Sequence, residues 1–128
     1  MNDYIATIEN LIRSCFIMVS YQLNTDRRSD EVAFISGGID FIDGSCLDFK
    51  EFIEKVDERI EKYKYAYNYR KGSVVMFRYD NAPDPGARHL CTFPDHKHTE
   101  NGGMMSSDPV DLSMVLEEIN RRILKDWE

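Results

Sequence analysis

The feature that most constrains this chain is a run of tyrosines at every second position. Tyr63, Tyr65, Tyr67 and Tyr69 alternate with Lys62, Lys64, Ala66 and Asn68. A period of two puts alternate side chains on opposite faces of an extended strand, so the four rings are expected on one face and the lysines on the other. Arg70-Lys71-Gly72-Ser73 then turns the chain, and Val75, Phe77 and Tyr79 answer the tyrosines as an antiparallel partner. Such a stripe is expected to be the packed face of a sheet rather than a platform for stacking bases.

Further strands extend the sheet upstream. A strand is expected from about Cys15 to Leu23, followed by a polar loop, Asn24 to Asp30. A second strand, about Glu31 to Ile42, carries Gly37-Gly38, which predicts a bulge or kink. Asp43-Gly44 is the strongest hairpin signal and predicts a type I′ turn. Leu47, Phe49 and Ile53 alternate as its return strand. A helix over about 50–58 stays open, because Phe49, Phe52, Ile53, Val56 and Ile60 also fit helical steps.

Helices are expected at both ends. Ile5, Ile8, Leu11 and Ile12 recur at helical spacing behind Asn2 or Asp3 as cap, with an end near Arg13. Asp108-Pro109 opens the last helix, whose buried stripe is Leu112, Val115, Leu116, Ile119 and Ile123. The 128 residues suffice for one core and are read as a single domain, 1–128. The fold class is α+β: an antiparallel meander sheet of about five strands, with an N-terminal and a C-terminal helix packed on one face.

Composition narrows the compartment and the partner. Met1-Asn2-Asp3-Tyr4 lacks the basic region of a secretion signal, and no apolar run approaches the ~20 residues of a membrane span. Three cysteines without paired spacing exclude a Cys-x-x-Cys zinc site and read as reduced thiols, which places the chain in the cytoplasm. The net charge of −7 argues at first against nucleic acid. Between Arg59 and His98, however, eight basic residues face four acidic ones, a local balance of +4 that leaves −11 elsewhere. Positive charge is therefore concentrated where a phosphate-bearing substrate would want it.

The same stretch holds the reactive side chains. Residues 81–107 contain all three histidines and three of the four prolines, and are expected to form a long loop. If His96-Lys97-His98 is extended, both imidazoles point to one side and the lysine to the other. Two histidines at that spacing can share general acid and base duty, with Asp80 orienting one of them. Lys97 and Arg78 would stabilise charge on phosphorus oxygens, although the extended geometry sets Lys97 apart from the imidazoles. Arg78, Asn81, His89 and Tyr65 are the candidates for holding substrate. No metal is required, but Asp80, His96 and His98 are also a ligand set for a divalent cation. Asp80-Asn81-Ala82-Pro83 can equally be an Asx turn ending a strand.

Phe77-Arg78-Tyr79-Asp80-Asn81-Ala82-Pro83, followed by Thr92-Phe93-Pro94-Asp95-His96-Lys97-His98, resembles the double motif of the TumE family of toxin–antitoxin toxins. Asp43-Gly44-Ser45 and Tyr63-Lys64-Tyr65 are similar to its hairpin and aromatic strand, so the likeness covers nearly the whole chain. Asp84-Pro85 and Asp95 depart from the pattern where relatives carry histidines. The site that the resemblance implies is therefore built on Asp80, His96, Lys97 and His98. It implies a small toxin acting on RNA as a ribonuclease and neutralised by a cognate antitoxin protein. A metal-dependent nuclease, a non-catalytic binding module and a homodimer stay open.

Overall fold

In the computed structural model, which describes residues 1–126, a meander of seven antiparallel strands lies between two helices in the chain. The order is α1 (Asn2–Arg13), β1 (Met18–Arg27), β2 (Val32–Phe41), β3 (Ser45–Val56), β4 (Arg59–Lys71) and β5 (Val74–Asp80). A short 3₁₀ turn, Pro85–Ala87, precedes β6 (His96–Thr99), β7 (Met104–Ser106) and α2 (Leu112–Asp126). Each strand pairs with the next in sequence. The α+β class and the terminal helices are as expected, but the sheet has seven strands where about five were expected. The extra two come from residues 81–107, where His96–Thr99 and Met104–Ser106 pair across a turn at Gly102 (φ 84°). The alternative helix over 50–58 is not formed, because β3 pairs along its length with both β2 and β4.

One face of the sheet carries the core. Ile8 and Ile12 of α1 and the expected stripe of α2, Leu112, Val115, Leu116, Ile119 and Ile123, pack with alternate residues of the sheet such as Ile35, Leu47, Tyr67 and Phe77. Val75 and Tyr79 do not both join them: Tyr79 is in the core, while a register shift opposite Tyr69 and Arg70 leaves Val75 exposed. The tyrosine alternation breaks once, for a similar reason. A bulge opposite Phe52 and Ile53 leaves Tyr63 without a ladder partner, and two successive residues then swap faces. Tyr65, Tyr67 and Tyr69 are buried as expected, but Tyr63 is half exposed, beside Phe52, and Lys62 turns inward. There the Lys62 Nζ donates to Tyr67 Oη (2.5 Å) and to the Val110 carbonyl (2.6 Å). Tyr67 in turn donates to the fully buried Glu51 carboxylate (2.7 Å), which also accepts from Tyr4. The inward lysine thus keeps Glu51 from being a buried anion without a cation near it.

Four local expectations are corrected. Gly37-Gly38 forms no bulge, since β2 keeps its register with both neighbours there; a Cβ on Gly37 would lie 2.6 Å from the Phe49 ring, which fills that space instead. Gly44 has positive φ (86°) but Asp43 does not, so the turn is not type I′; Asp43 instead accepts from the Ser45 N–H (3.0 Å). At the last helix Asp111, not Asp108, supplies the cap, accepting from the Met114 N–H (2.9 Å), and α1 begins without a side-chain cap.

Candidate functional site

Strands β5 and β6 bring the two motifs together. Their register sets Arg78 against His98, Tyr79 against Lys97 and Asp80 against His96. Because cross-strand partners share a face, Arg78, Asp80, His96 and His98 stand together on the face that the helices leave open. Asp80 and His96 are buried, and the side chain of His98 keeps 28% of its exposure. One donor atom from each of Asp80, His96 and His98 lies within 4.8 Å of the others.

Hydrogen bonds link the members of this group. The Asp80 carboxylate accepts from the Ala82 N–H (3.0 Å) and from Arg78 Nε (3.0 Å). The Asx turn is therefore real, and it holds Asp80 toward the histidines. His96 Nδ1 lies 2.8 Å from the Pro94 carbonyl. A carbonyl only accepts, so Nδ1 carries the proton and the neutral ring presents a lone pair at Nε2. That Nε2 is 3.0 Å from His98 Nε2 and 3.2 Å from Asp80 Oδ1. With His96 neutral, the contact between the rings is made when His98 donates from Nε2. Its Nδ1 then carries a lone pair with no protein partner among the described residues, and it is not among the buried polar atoms. Two hydrogen bonds thus link the Pro94 carbonyl to His98.

The other expected site residues are elsewhere. Lys97 points to the covered face, where its Nζ meets Glu118 (3.1 Å) and lies over the rings of Phe77 and Tyr79. The alternation of the strand, already visible in sequence, separates it from the imidazoles. Burial alone would lower the Lys97 pKa, but bonds to Tyr79 and Glu118 outweigh it and hold the ammonium above its ordinary range. Tyr65 is also on the covered face and donates to Asp95 (2.8 Å); burial first, then Asp95, pushes its phenol up. Asn81 is used by the backbone, accepting from the Tyr65 N–H (3.0 Å) and donating to the Tyr63 carbonyl (3.1 Å), so its amide continues the β4 ladder. His89 is exposed in the turn after the 3₁₀ segment and makes no hydrogen bond to the cluster. Of the expected substrate-holding residues, only Arg78 reaches the histidines. His96, expected to share proton transfer with His98, is fully buried behind it.

Sequence reasoning did not find the Pro94 carbonyl or Glu118. No side-chain pattern signals the first, and the second depends on where α2 lands. Nor did it find an open cleft of ≈ 360 Å³ beside the cluster, which Asn24, Phe34, Ser36, Lys50, Asn68 and Arg78 help to line.

No described helix is long and apolar enough to cross a membrane. A protein-family model described as Toxin TumE matches residues 8–124, a span that contains both motifs. No curated protein and no solved structure matches the chain.

Proposed function

Because the chain belongs to the TumE toxin family, we propose that it exerts toxicity by cleaving RNA at the cluster of Asp80, His96 and His98. The observation that carries this reading is the relay from Pro94 through His96 to His98, which leaves one accessible imidazole nitrogen as a base beside Arg78. His98 Nδ1 takes the proton of an attacking ribose hydroxyl while its Nε2–H stays directed at His96 and Asp80. The oxygen–phosphorus bond forms, the bond to the leaving oxygen breaks, and that oxygen takes a proton from solvent. Arg78 is held at Nε by Asp80, and its terminal nitrogens make no hydrogen bond among the described residues. They supply charge to the phosphate oxygens. Lys97 supports the strand from the other side and takes no part. The acidic remainder of the chain suits a basic segment of a cognate antitoxin, and the cytoplasm is where such a pair would meet RNA.

One observation favours a second reading, a divalent cation at the same cluster. Tetrahedral ligands at ~2.0–2.1 Å from zinc are separated from each other by about 3.3 Å. Here His96 Nε2 is 3.0 Å from His98 Nε2 and 3.2 Å from Asp80 Oδ1, and the other carboxylate oxygen, Asp80 Oδ2, is 3.5 Å from His98 Nε2. A ligating histidine also commonly donates its other nitrogen to a backbone carbonyl, as His96 does.

Purified protein and labelled single-stranded RNA, with and without EDTA, separate the two. Cleavage that persists in EDTA supports the proton relay. Cleavage that EDTA abolishes and added zinc or manganese restores supports the cation. Absence of cleavage in every condition, from protein that still arrests growth when expressed, overturns both.

A further inference from the structure

The open face of the sheet carries three aromatic rings that the core does not use. Phe34 and Phe52 are stacked at 4.5 Å with an interplanar angle of 21°, and Tyr63 lies 6.0 Å from Phe52. None of the three belongs to the core cluster, and Tyr63 is 50% exposed. The bulge in β4 is what turns Tyr63 to this side. Lys64 sits over the Phe52 ring at 5.4 Å, and Lys50 follows two residues before Phe52 on the same face.

Register joins these rings to the cluster. Phe34, Phe52 and Lys64 form one row across β2, β3 and β4. The adjacent row is Ser36, Lys50, Ala66, Asp80 and His96, and the next contains Asn68, Arg78 and His98. Ala66 has only a methyl group, so the middle row is low between the rings and Arg78, and there the ≈ 360 Å³ cleft opens. From β3 to β6 is three strand spacings, about 14 Å. Between the rings and His98 the anions are engaged: Asp48 with Arg70 (2.9 Å) and Asp80 with Arg78. Glu54, which makes no ion pair among the described residues, lies beyond Phe52 at the far end, while Lys50 and Lys64, also without ion pairs, leave the path toward His98 cationic.

We propose that this open face is a platform for single-stranded RNA. Bases stack on Phe52, Phe34 and Tyr63, while Lys50, Lys64 and Arg78 hold the phosphates that lead to His98. The inference deepens the ribonuclease reading by naming how that site receives its substrate. Stacking needs the flat side of an unpaired base, which a duplex hides, so the platform selects single strands. Partly exposed rings mixed with lysines and side-chain amides suit a nucleic-acid strand better than a protein, since protein interfaces are depleted of lysine at their centres. The sequence expectation about the tyrosine stripe is thus divided. Its buried members are core, and the one that the bulge displaces becomes part of the platform.

The test measures binding of a short fluorescein-labelled oligouridylate by fluorescence anisotropy, with His98→Ala protein so that substrate survives. Phe52→Ala and Tyr63→Ala should each weaken binding roughly 5- to 150-fold. Lys64→Glu should weaken it and make it less sensitive to salt. Met114→Ala, on an exposed position of α2, should change nothing, and a duplex of the same length should bind less tightly. Thermal melts show which variants fold; if Phe52→Ala does not, Tyr63→Ala and Lys64→Glu still decide. Unchanged binding by these folded variants overturns the platform, even where the wild-type protein cleaves RNA. If they lose affinity only for the antitoxin, that also overturns it and assigns the face to a protein partner. Tight, ring-dependent binding without cleavage by the wild-type protein leaves the platform standing and removes the ribonuclease reading.

Discussion

The two faces of the β5–β6 ladder are built from neighbouring residues and do different things. On the covered face Tyr79, Lys97 and Glu118 complete one another: Tyr79 donates to Glu118 (2.6 Å), and Lys97 pairs with the same carboxylate. Every strong polar group there has a partner inside the protein. On the open face Asp80, His96 and His98 bring one nitrogen or oxygen each within 4.8 Å of one another, and the last nitrogen in the relay, His98 Nδ1, has no protein partner among the described residues. The difference shows that residue type alone does not make a site. A lysine between two histidines is turned to the packed side by the pleat, while an aspartate and an arginine two positions apart are brought to the histidines by the same pleat.

Substitutions on each face sharpen this contrast. The largest effect is expected from His98→Ala, which should reduce RNA cleavage by roughly 10²- to 10⁴-fold while the melting temperature changes little. A loss of stability without loss of cleavage would make the open face the structural one. Lys97→Met should behave in the opposite way. Glu118 keeps Arg122 (3.7 Å) and Tyr79, so losing the Lys97 bond should cost about 1 kcal/mol in urea unfolding, with cleavage by the folded protein unchanged. A kinetic defect at constant stability would return Lys97 to the chemistry.

Alkaline pH tests the covered face without mutation. Burial raises the phenols of Tyr4, Tyr65, Tyr67, Tyr69 and Tyr79, and carboxylates reinforce this at Tyr4, Tyr65, Tyr67 and Tyr79. Unfolded tyrosine ionises near pH 10, so above that value the native chain holds more protons than the unfolded one. Stability must then fall as pH rises. The raised Lys97 acts in the same sense, while Lys62, lowered chiefly by burial, acts in the opposite one below about pH 10.4. Melts from about pH 8 to 11 should therefore show a decline that begins near 10 and is shallower in Tyr67→Phe. A flat profile would contradict the burial of these phenols. The smallest effect is expected from His89→Ala, which should leave cleavage unchanged and stability within about 0.5 kcal/mol.

Much of this was legible in the chain. The stripe of α2, the pairing of Tyr67 and Tyr69 with Tyr79 and Phe77, and the shared side of His96 and His98 all follow from local periods of 3.6 or two. The family likeness lies in the motifs themselves. What escaped depends on distant geometry. The bulge that exchanges Tyr63 and Lys62 between faces is tied to a buried carboxylate eleven residues before Lys62, and period alone cannot signal it. Asn81 looked like a site residue because amides bind ligands, yet it lies where β5 ends and its amide takes over the ladder of β4. The strands β6 and β7 are only four and three residues long, too short to stand out in a segment rich in glycine and proline.

Those two short strands have a further consequence. They lie at the edge of the sheet, far from the long pairing of β2, β3 and β4, and the edge of a fold opens at lower free energy than its centre. The histidines ride on that edge, anchored to β5 through four paired positions. The assembled site should therefore be lost by fraying of this margin before the domain unfolds. Warming should silence the protein while most of its sheet is still intact, and a partner that clamps or peels the margin would control activity without touching the core.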